Sequence, residues 1–269
     1  MKRHYCTFCG KKRNADKLVE VTYKLLQRSA YHCREHVSTS ADILELRPLD
    51  RKPVFLELFS GSGHLSGSAR AAGYETFTVD IESKYNPDLA LDIIKIRKNM
   101  LPGSADVIWA SPPCTYFSNL NIGNHWDKID LGYRNYYYVP TTPEARSALR
   151  ILNKMFKVIR WLKPMYYFIE NPRAGLRHFP YMKSIPFRKT VSYYDYGFDY
   201  FKPTDIWTNC PSFQPKDASY QNAQKFEKSV LDLNSSYERA LVPPALIEYL
   251  FNSLPFTPDA DASALRSLK

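Results

Sequence analysis

The sequence of 269 residues has little glycine, little cysteine and no long apolar run. With 10 glycines, no low-complexity tract and 44% hydrophobic residues, it is neither collagen-like nor disordered. No apolar run approaches the ~20 residues of a membrane span, and the start Met-Lys-Arg-His-Tyr-Cys lacks the apolar stretch of a secretory signal. We therefore expect a soluble intracellular protein. Its five cysteines are then expected to be thiols or metal ligands and not disulfides.

Positive charge is abundant and is concentrated near the N-terminus. Lys and Arg outnumber Asp and Glu by 37 to 27, a net charge of +10. Residues 1–53 hold 12 basic and 6 acidic side chains, so more than half of the surplus lies in the first fifth of the chain. This surplus favours a polyanionic partner, although a solvated charged tail has the same composition.

The basic segment carries two short pairs of metal-ligand residues. Cys6 and Cys9 form the first pair, and Cys33 and His36 form the second, in a C-x2-C-x23-C-x2-H pattern. Four such ligands match tetrahedral Zn²⁺ and leave no open position, which indicates a structural zinc site. Free thiols in a basic arm are the alternative. Two neighbouring histidines are further candidates for the fourth ligand: His4 and His32.

After this segment, strand patterns and helix patterns alternate, which predicts an α/β fold with a doubly wound sheet. Strands are expected at 54–59, 76–80, 106–110, 165–169, 190–196 and 204–207, and helices at 65–72, 143–162 and 243–254. The polar and aromatic residues 119–143 are interpreted as a long surface loop. The expected units are a zinc-binding basic module (1–45), a linker (46–53), a catalytic domain (54–254) and a flexible tail (255–269).

The first of these strands ends in a glycine-containing turn that precedes a helix. Gly61 and Gly63 lie in this turn, where glycines let a ligand approach the backbone and the helix N-terminus offers free N–H groups. The third glycine of the dinucleotide fingerprint and the lysine of a P-loop are both missing. Asp80 ends the next strand, where a ribose diol can be held, and Asp92 follows a third element. The arrangement indicates an adenosyl pocket, with a purely structural turn as the alternative.

A cysteine follows another predicted strand directly. Pro112 and Pro113 stiffen the approach to Cys114 and hold its thiol at the carboxyl edge of the sheet, where ligands of open α/β folds bind. Glu170 ends a second strand at the same edge. A fixed thiol and an acid beside an adenosyl pocket indicate covalent addition to a substrate that is protonated at the same time. A buried inert thiol is the alternative.

In this order, the motifs resemble those of the DNA cytosine-5 methyltransferases. The resemblance spans residues 54–250 and rests on Phe59-x-Gly61-x-Gly63, Pro112-Pro113-Cys114-x-x-Phe117-Ser118, Glu170-Asn171 and the segment 240–246. It implies a Rossmann-like class I S-adenosylmethionine-dependent methyltransferase fold, here with a small N-terminal zinc-binding module. It also implies that S-adenosylmethionine is bound by Phe59, Ser60, Gly61, Gly63, Asp80, Ile81, Asp92, Ile93 and Pro112.

The resemblance further implies a covalent mechanism. Cys114 as a thiolate adds to carbon 6 of cytosine, while Glu170 hydrogen-bonds or protonates ring nitrogen 3, and Asn171 supports the geometry of both. Carbon 5 takes the methyl group, and loss of its proton with elimination of Cys114 releases the product. The base must be single-stranded or flipped out of the duplex.

The chain departs from the family pattern at one late strand. Where the family has two arginines, this sequence has Lys202 and Thr204, so Lys202 is expected in the first position and the second guanidinium is missing. A solvated surface lysine is the alternative for Lys202. This short form is similar to a compact subgroup often encoded by phages, which implies a cytoplasmic enzyme and a restriction-modification context.

The family's target-recognition domain has no room in this sequence. Only about 30 residues separate Asn209 from Arg239. We hypothesise that the N-terminal module contacts phosphates and that loop 119–143 contacts DNA near the flipped base. Alternatively, the module only stabilises the fold or binds a protein. DNA is the expected partner of a monomeric chain; an RNA cytosine-5 methyltransferase and a catalytically weak nucleic-acid-binding protein are the alternatives.

Overall fold

The computed structural model describes residues 51–130, 132, 136–216, 218, 233 and 235–254, together with the backbone of four strands before residue 34. These strands are β1 (Arg3–Tyr5), β2 (Lys12–Asn14), β3 (Leu18–Tyr23) and β4 (Arg28–Cys33). β1 pairs antiparallel with β2, and β3 with β4. Outside the described residues lie Cys6, Cys9, His36, the side chain of Cys33, residues 46–50 of the predicted linker and the predicted tail 255–269.

The remaining elements follow in chain order from residue 54. They are β5 (Val54–Leu58), α1 (His64–Ala71), β6 (Glu75–Asp80), β7 (Leu89–Ala90), β8 (Val107–Ala110), α2 (Ile122–His125), β9 (Trp126–Asp130), β10 (Tyr136–Pro140), α3 (Pro143–Leu162), β11 (Tyr166–Pro172), α4 (Pro180–Lys183), β12 (Phe187–Ser192), β13 (Pro203–Thr208), α5 (Ser236–Ala240) and α6 (Pro244–Ser253).

A seven-stranded sheet organises this region. Its strand order is β12-β13-β11-β8-β5-β6-β7. The five strands from β11 to β7 are parallel, whereas β13 runs antiparallel to both of its neighbours. The chain therefore has a mixed α/β fold with a mostly parallel central sheet, as the alternation of strands and helices predicts. The carboxyl ends of the parallel strands meet along one edge, where ligands of open α/β sheets bind.

Helices cover both faces of the sheet, so its central strands are apolar on both sides. In β5, Leu56 packs into the core beneath α3, whereas Phe55 packs with residues of α1 and α6. α3 spans the predicted residues: Thr142 caps its N-terminus through a hydrogen bond from Ala145 N to Oγ1 at 3.2 Å, and Pro143 occupies its first turn. Of the helices described, none combines the length and apolar character needed to cross a bilayer.

The prediction of a long surface loop at 119–143 is wrong. β9 and β10 pair antiparallel within it, after the short helix α2, and form what we call the β9–β10 ribbon. The ribbon packs on Phe179, whose ring centroid lies 4.8 Å from that of Trp126 and 5.8 Å from that of Tyr138. Aromatic packing across the paired strands therefore overrides the polar composition of the segment.

Two further strand boundaries differ from the predicted ones. The strand predicted at 190–196 is β12, which begins at Phe187 and ends at Ser192, and Tyr193–Tyr196 is a 3-10 helix. β11 does not end at residue 169 but runs on through Pro172, because its last residues pair with β13. Glu170 and Asn171 are consequently fixed within a strand and not in a loop.

Candidate active site

The turn after β5 has a backbone that few residue types tolerate. Gly61 and Gly63 have φ angles of +50° and +68°, in the left-handed region where a Cβ atom is strained, and Phe59 has a φ of +61°. Asp80 at the end of β6 fixes this turn, because its Oδ2 accepts a hydrogen bond from Gly61 N at 2.7 Å. The turn thus leads into α1 from a fixed position at the carboxyl edge of the sheet.

A cavity of about 400 Å³ lies beside this turn, within the usual size of a small-molecule site. Its wall joins segments distant in sequence, because the ends of β5, β6 and β8 meet at the same edge. Ser60, Asp80 and Trp109 contribute from this edge, and Pro113 and Leu241 complete the wall. The residue before Cys114 therefore lines the cavity.

Two buried polar atoms in the cavity wall have no hydrogen-bond partner among the described residues: Ser60 Oγ and His64 Nε2. Burial lowers the pKa of His64 and so favours its neutral imidazole. Buried polar groups are normally satisfied in native proteins. These two atoms indicate that the cavity takes a ligand with polar groups.

The structure brings together part of the predicted cofactor set. Phe59, Ser60, Gly61 and Asp80 line the cavity, whereas Gly63, Ile81, Asp92, Ile93 and Pro112 do not belong to its wall. Asp80 Oδ1 also accepts a hydrogen bond from Glu82 N at 2.8 Å, and Ile81 between them is 66% exposed. Asp92 Oδ1 accepts from Ile94 N at 2.9 Å, and Ile93 is buried in the core.

Cys114 follows Pro113 of the cavity wall directly and interacts electrostatically with charged side chains from other segments. It precedes a 3-10 helix, and its carbonyl accepts a hydrogen bond from Phe117 N at 2.9 Å. Burial raises the pKa of the Cys114 thiol, and the Glu170 carboxylate raises it further. The cations of Lys202 and Arg239 act in the opposite direction. Charges from three separate segments therefore act on this thiol.

β11 presents Glu170 and Asn171 on its opposite faces. Glu170 is 6% exposed, and its Oε1 accepts a hydrogen bond from the Tyr193 hydroxyl at 3.2 Å. Asn171 Nδ2 donates to the carbonyl of Pro112 at 2.8 Å, whereas Asn171 Oδ1 is buried and has no partner in the part of the chain that the structure describes. Asn171 thus ties β11 to the proline turn that carries Cys114.

Lys202 is 5% exposed, which excludes a solvated surface lysine. Its Nζ donates to the carbonyl of Arg239 at 2.6 Å and lies 4.4 Å from the centroid of the Tyr193 ring. Burial lowers the pKa of Lys202, while the negative charges of Glu170 and Cys114 raise it. Lys202 therefore interacts with Cys114 and Glu170 and is also hydrogen-bonded to Arg239. The residues that follow Arg239, 240–242, line the cavity.

One curated relative decides the family. The chain is 35% identical over 166 residues to a protein of Frog virus 3 (isolate Goorha) described as "Probable DNA (cytosine-5)-methyltransferase". The match covers 60% of this chain and 72% of the relative. This chain belongs to the DNA (cytosine-5)-methyltransferase family. No protein-family model matches the sequence.

Three solved structures are also similar to this member of the methyltransferase family. S. pombe Dnmt2 methyltransferase is 16% identical over 66% of this chain, with a TM-score of 0.41, and a mutant of Spodoptera frugiperda DNMT2 is 16% identical over 62%, with a TM-score of 0.39. The matches span 55% and 53% of those two proteins. A SAM-dependent methyltransferase from Agrobacterium tumefaciens is 15% identical over 73% of both chains, with a TM-score of 0.34.

Four residues at this candidate site were not predicted from the sequence: Glu57, His64, Tyr193 and Arg239. Glu57 is the one acid in an otherwise apolar strand, and this pattern could have marked it as a buried titratable group. It is 5% exposed, burial raises its pKa to about 7, and it accepts hydrogen bonds from Ser66 N at 2.8 Å and Ser66 Oγ at 2.5 Å. Tyr193 and Arg239 carry no local signal, because only tertiary packing brings them to Glu170 and Lys202.

Among the described residues, no group of three or more His, Cys, Asp or Glu side chains is placed to hold a metal ion. The four predicted zinc ligands, Cys6, Cys9, Cys33 and His36, are not in that set.

Proposed function

We propose that this chain transfers the methyl group of S-adenosylmethionine to carbon 5 of a cytosine in DNA, through a covalent adduct on Cys114. One observation carries the proposal. Cys114 is coupled by charge to Glu170 and Lys202, directly beside a cavity whose wall includes Pro113. A thiol that interacts electrostatically with an acid and a cation thus follows directly after a residue in the wall of a pocket of cofactor size.

The cavity fits the adenosyl cofactor by the chemistry of its wall. The strand order supports a Rossmann-like class I methyltransferase fold, in which the end of the second parallel strand faces the ribose. Asp80 occupies that position here, and the unpartnered Ser60 Oγ and His64 Nε2 are available to the polar groups of the cofactor. When bound, S-adenosylmethionine supplies an electrophilic methyl group. Contact of Ile81, Asp92 and Ile93 with the adenosine remains a prediction.

Cys114 and Glu170 act on different atoms of the cytosine ring. The Cys114 thiolate adds to carbon 6, so that an Sγ–C6 bond forms and the ring electrons move toward carbon 5. Glu170, held by Tyr193, donates a proton or hydrogen bond to ring nitrogen 3 and stabilises the charge that develops there. After carbon 5 has been methylated, it loses its proton to solvent, the Sγ–C6 bond breaks and the thiolate leaves.

Lys202 serves this reaction electrostatically. Its buried ammonium favours the thiolate form of Cys114. Asn171 positions the proline turn through its hydrogen bond to Pro112. Lys202 takes the place of the first arginine of the family pattern, and this strand together with the short connection after Asn209 supports a place in the compact subgroup.

The N-terminal residues 1–45 are proposed to be a zinc-binding module that adds basic charge for DNA, joined by the linker 46–53 to the catalytic domain 54–254, with a tail at 255–269. Cys6 and Cys9 fall in the connection between the paired strands β1 and β2, and Cys33 is the last residue of β4. The spacing of the two ligand pairs in the sequence supports one shared Zn²⁺ ion. The charge surplus of residues 1–53 supports phosphate contacts.

The test is methyl transfer from labelled S-adenosylmethionine to duplex DNA, single-stranded DNA and RNA, with Cys114→Ala as the matched variant. We expect labelled 5-methylcytosine in DNA with the native chain and none above background with the variant. Labelling of RNA alone would replace DNA by RNA as the substrate. Equal labelling by Cys114→Ala would refute the covalent route.

A further inference from the structure

Four cations surround a half-buried histidine on the face of the sheet that carries the β9–β10 ribbon. Burial and, after it, the positive charges of four neighbours together lower the pKa of His178 to about 4. We call the group the His178 patch; its members are Tyr136, His178, Lys128, Arg177, Lys183 and Arg188.

The patch is organised around the ring of Tyr136. The Tyr136 hydroxyl lies 2.9 Å from His178 Nε2, and the two ring centroids are 4.5 Å apart. Lys128 Nζ lies 4.1 Å from the centroid of the Tyr136 ring, and Lys183 Nζ donates to the Tyr136 carbonyl at 3.1 Å. Tyr136 on β10 thereby contacts Lys128 of β9, Lys183 of α4 and His178 of the 3-10 helix that precedes α4.

Most of this charge is not neutralised within the described part of the chain. Asp205 is fully buried and neutralises the charge of Arg177. Its Oδ1 accepts a hydrogen bond from Arg177 Nη2 at 2.6 Å, and its Oδ2 accepts one from Arg177 Nε at 2.9 Å. Lys128, Lys183 and Arg188 are exposed, and no described carboxylate lies within ion-pair distance of them.

The two acids of β9 lie on different faces of the strand. Asp127 lies on the alternate face from Lys128. Asp130 lies on the same face as Lys128 and opposite Tyr136, and its Oδ1 accepts a hydrogen bond from Gly132 N at 2.8 Å. Within the described residues, the patch therefore presents three exposed cations that form no ion pair, although the charge of Asp205 also acts on Arg188. Mutually repelling cations are stabilised when an anion binds between them.

The patch is packed directly against the loop that carries Cys114. The ring of Phe117, three residues after Cys114, lies 5.2 Å from that of Phe179, which follows His178. Gly175 packs so closely on this loop that an added Cβ would lie 3.1 Å from the carbonyl oxygen of Phe117. The segment 175–179, which carries His178 and Arg177, therefore contacts the loop that carries Cys114.

We infer that the His178 patch binds the sugar-phosphate backbone of the DNA beside the target cytosine. The inference rests on the proposed function for its choice of DNA as the substrate. Phosphate contacts position a protein on DNA without reading sequence. Phosphate contacts at the His178 patch would fix the position of this chain on DNA, a task that a separate recognition domain performs in larger members of the family.

The experiment compares two charge-matched triple variants of the full chain. Lys128→Gln, Lys183→Gln and Arg188→Gln remove the exposed cations of the patch. Lys95→Gln, Arg97→Gln and Lys98→Gln remove the same number and types of exposed cations between β7 and β8. Binding of a fluorescent duplex is measured at several salt concentrations, and cofactor binding is measured in parallel to verify folding.

We expect the patch variant to lose roughly tenfold or more in affinity and about two to three units of salt slope, since each phosphate contact contributes about 0.9 to that slope. The control variant is expected to keep the native slope. An equal loss in both variants, or none in the patch variant, would overturn the inference. The proposed function fails separately, if the native chain methylates no nucleic acid.

Discussion

The reactivity of Cys114 is governed by side chains that act on its charge. Burial and Glu170 disfavour the thiolate, whereas Lys202 and Arg239 favour it. Only Lys202 among these cations is almost fully buried, at 5% exposure, so its field is little screened by water. The ammonium of Lys202 should therefore have a measurable effect on the titration of the thiol.

Replacing Lys202 by Met is expected to raise the pKa of Cys114. Because the thiolate is the reactive form, alkylation of Cys114 by iodoacetamide at pH 7.5 should slow by roughly three- to tenfold, and the difference should vanish at high pH. Mass spectrometry of the Cys114 peptide between pH 7 and 10 measures this rate. Lys189→Met on β12 is the control, and the same pH profile in all three proteins would contradict the role given to Lys202.

Glu57 is expected to make the fold less stable as the pH rises. Its pKa is about 7 in the folded chain against an ordinary value of 4.5, so the folded state holds the proton more tightly. Its contribution to stability is complete below about pH 4.5 and is lost as the pH rises through 7, by on the order of 3 kcal/mol.

Glu57→Gln removes this titration, and the variant should gain stability relative to the native chain between pH 5 and pH 8. Thermal unfolding across this range measures the difference. Glu75→Gln, at an exposed position of the neighbouring strand, should show no such trend. A difference between Glu57→Gln and the native chain that does not change with pH would rule out the raised pKa.

At the scale of elements, the position of Cys114 depends on how its loop rests on neighbouring segments. Asn171 holds Pro112 on one side, and Gly175 approaches Phe117 and Ile122 on the other. A Cβ at residue 175 would lie 1.8 Å from Ile122 Cδ1 and 3.1 Å from the Phe117 carbonyl oxygen. The side chain of Ile122 can move, but the backbone of the catalytic loop must shift as well.

Gly175→Ala is therefore expected to displace the Cys114 loop without affecting the cofactor cavity. Overpacking of this kind costs about 1 to 3 kcal/mol. Methyl transfer should fall by roughly tenfold, while cofactor affinity, measured by calorimetry, stays at the native value. Gly103→Ala, where an added Cβ meets nothing within 4 Å, is the control. Native activity in Gly175→Ala would show that the loop tolerates the shift.

The elements whose sequence pattern depends on local spacing are the ones that could be predicted. α3 has a capping threonine, a proline in its first turn and a regular apolar face, and its bounds agree with the prediction. The β9–β10 ribbon has no such pattern, because Trp126 and Tyr138 are placed by Phe179, more than 40 residues later. Tertiary partners decide structure there, and one sequence does not reveal them.

The site follows the same division. Phe59, Gly61 and Asp80 follow strands of an apolar pattern, so their arrival at one sheet edge could be predicted, and they line the cavity. Tyr193 and Arg239 reach Glu170 and Lys202 only through the packing of β12, β13 and α5. Their roles could not be inferred from spacing.

At the scale of the whole molecule, positive charge is concentrated in two places that we propose both contact DNA. Residues 1–53 carry a surplus of six positive charges, and the His178 patch adds exposed cations next to the catalytic loop. Binding through phosphates at both places would replace a dedicated recognition domain. The two contributions should be separable, because they lie in different parts of the chain.

Removal of residues 1–45 is expected to weaken DNA binding and to lower its salt slope, while cofactor binding is retained. Metal analysis of the full chain should find about one zinc per molecule, and Cys6→Ser with Cys9→Ser should abolish it. Fluorescence titrations at several salt concentrations measure the slope. An unchanged slope after the deletion would confine the N-terminal module to stabilising the fold or binding a protein.

Covalent addition of Cys114 to cytosine is the central claim, and trapping the adduct tests it most directly. A duplex with 5-fluorocytosine at its cytosine positions cannot lose a proton from carbon 5, so the Sγ–C6 bond should persist after methylation. With S-adenosylmethionine, we predict a denaturation-resistant protein–DNA species in which mass spectrometry locates the methylated base on Cys114. It should be absent with Cys114→Ala. Methylation of ordinary DNA without any trapped species on the fluorinated duplex would contradict the account.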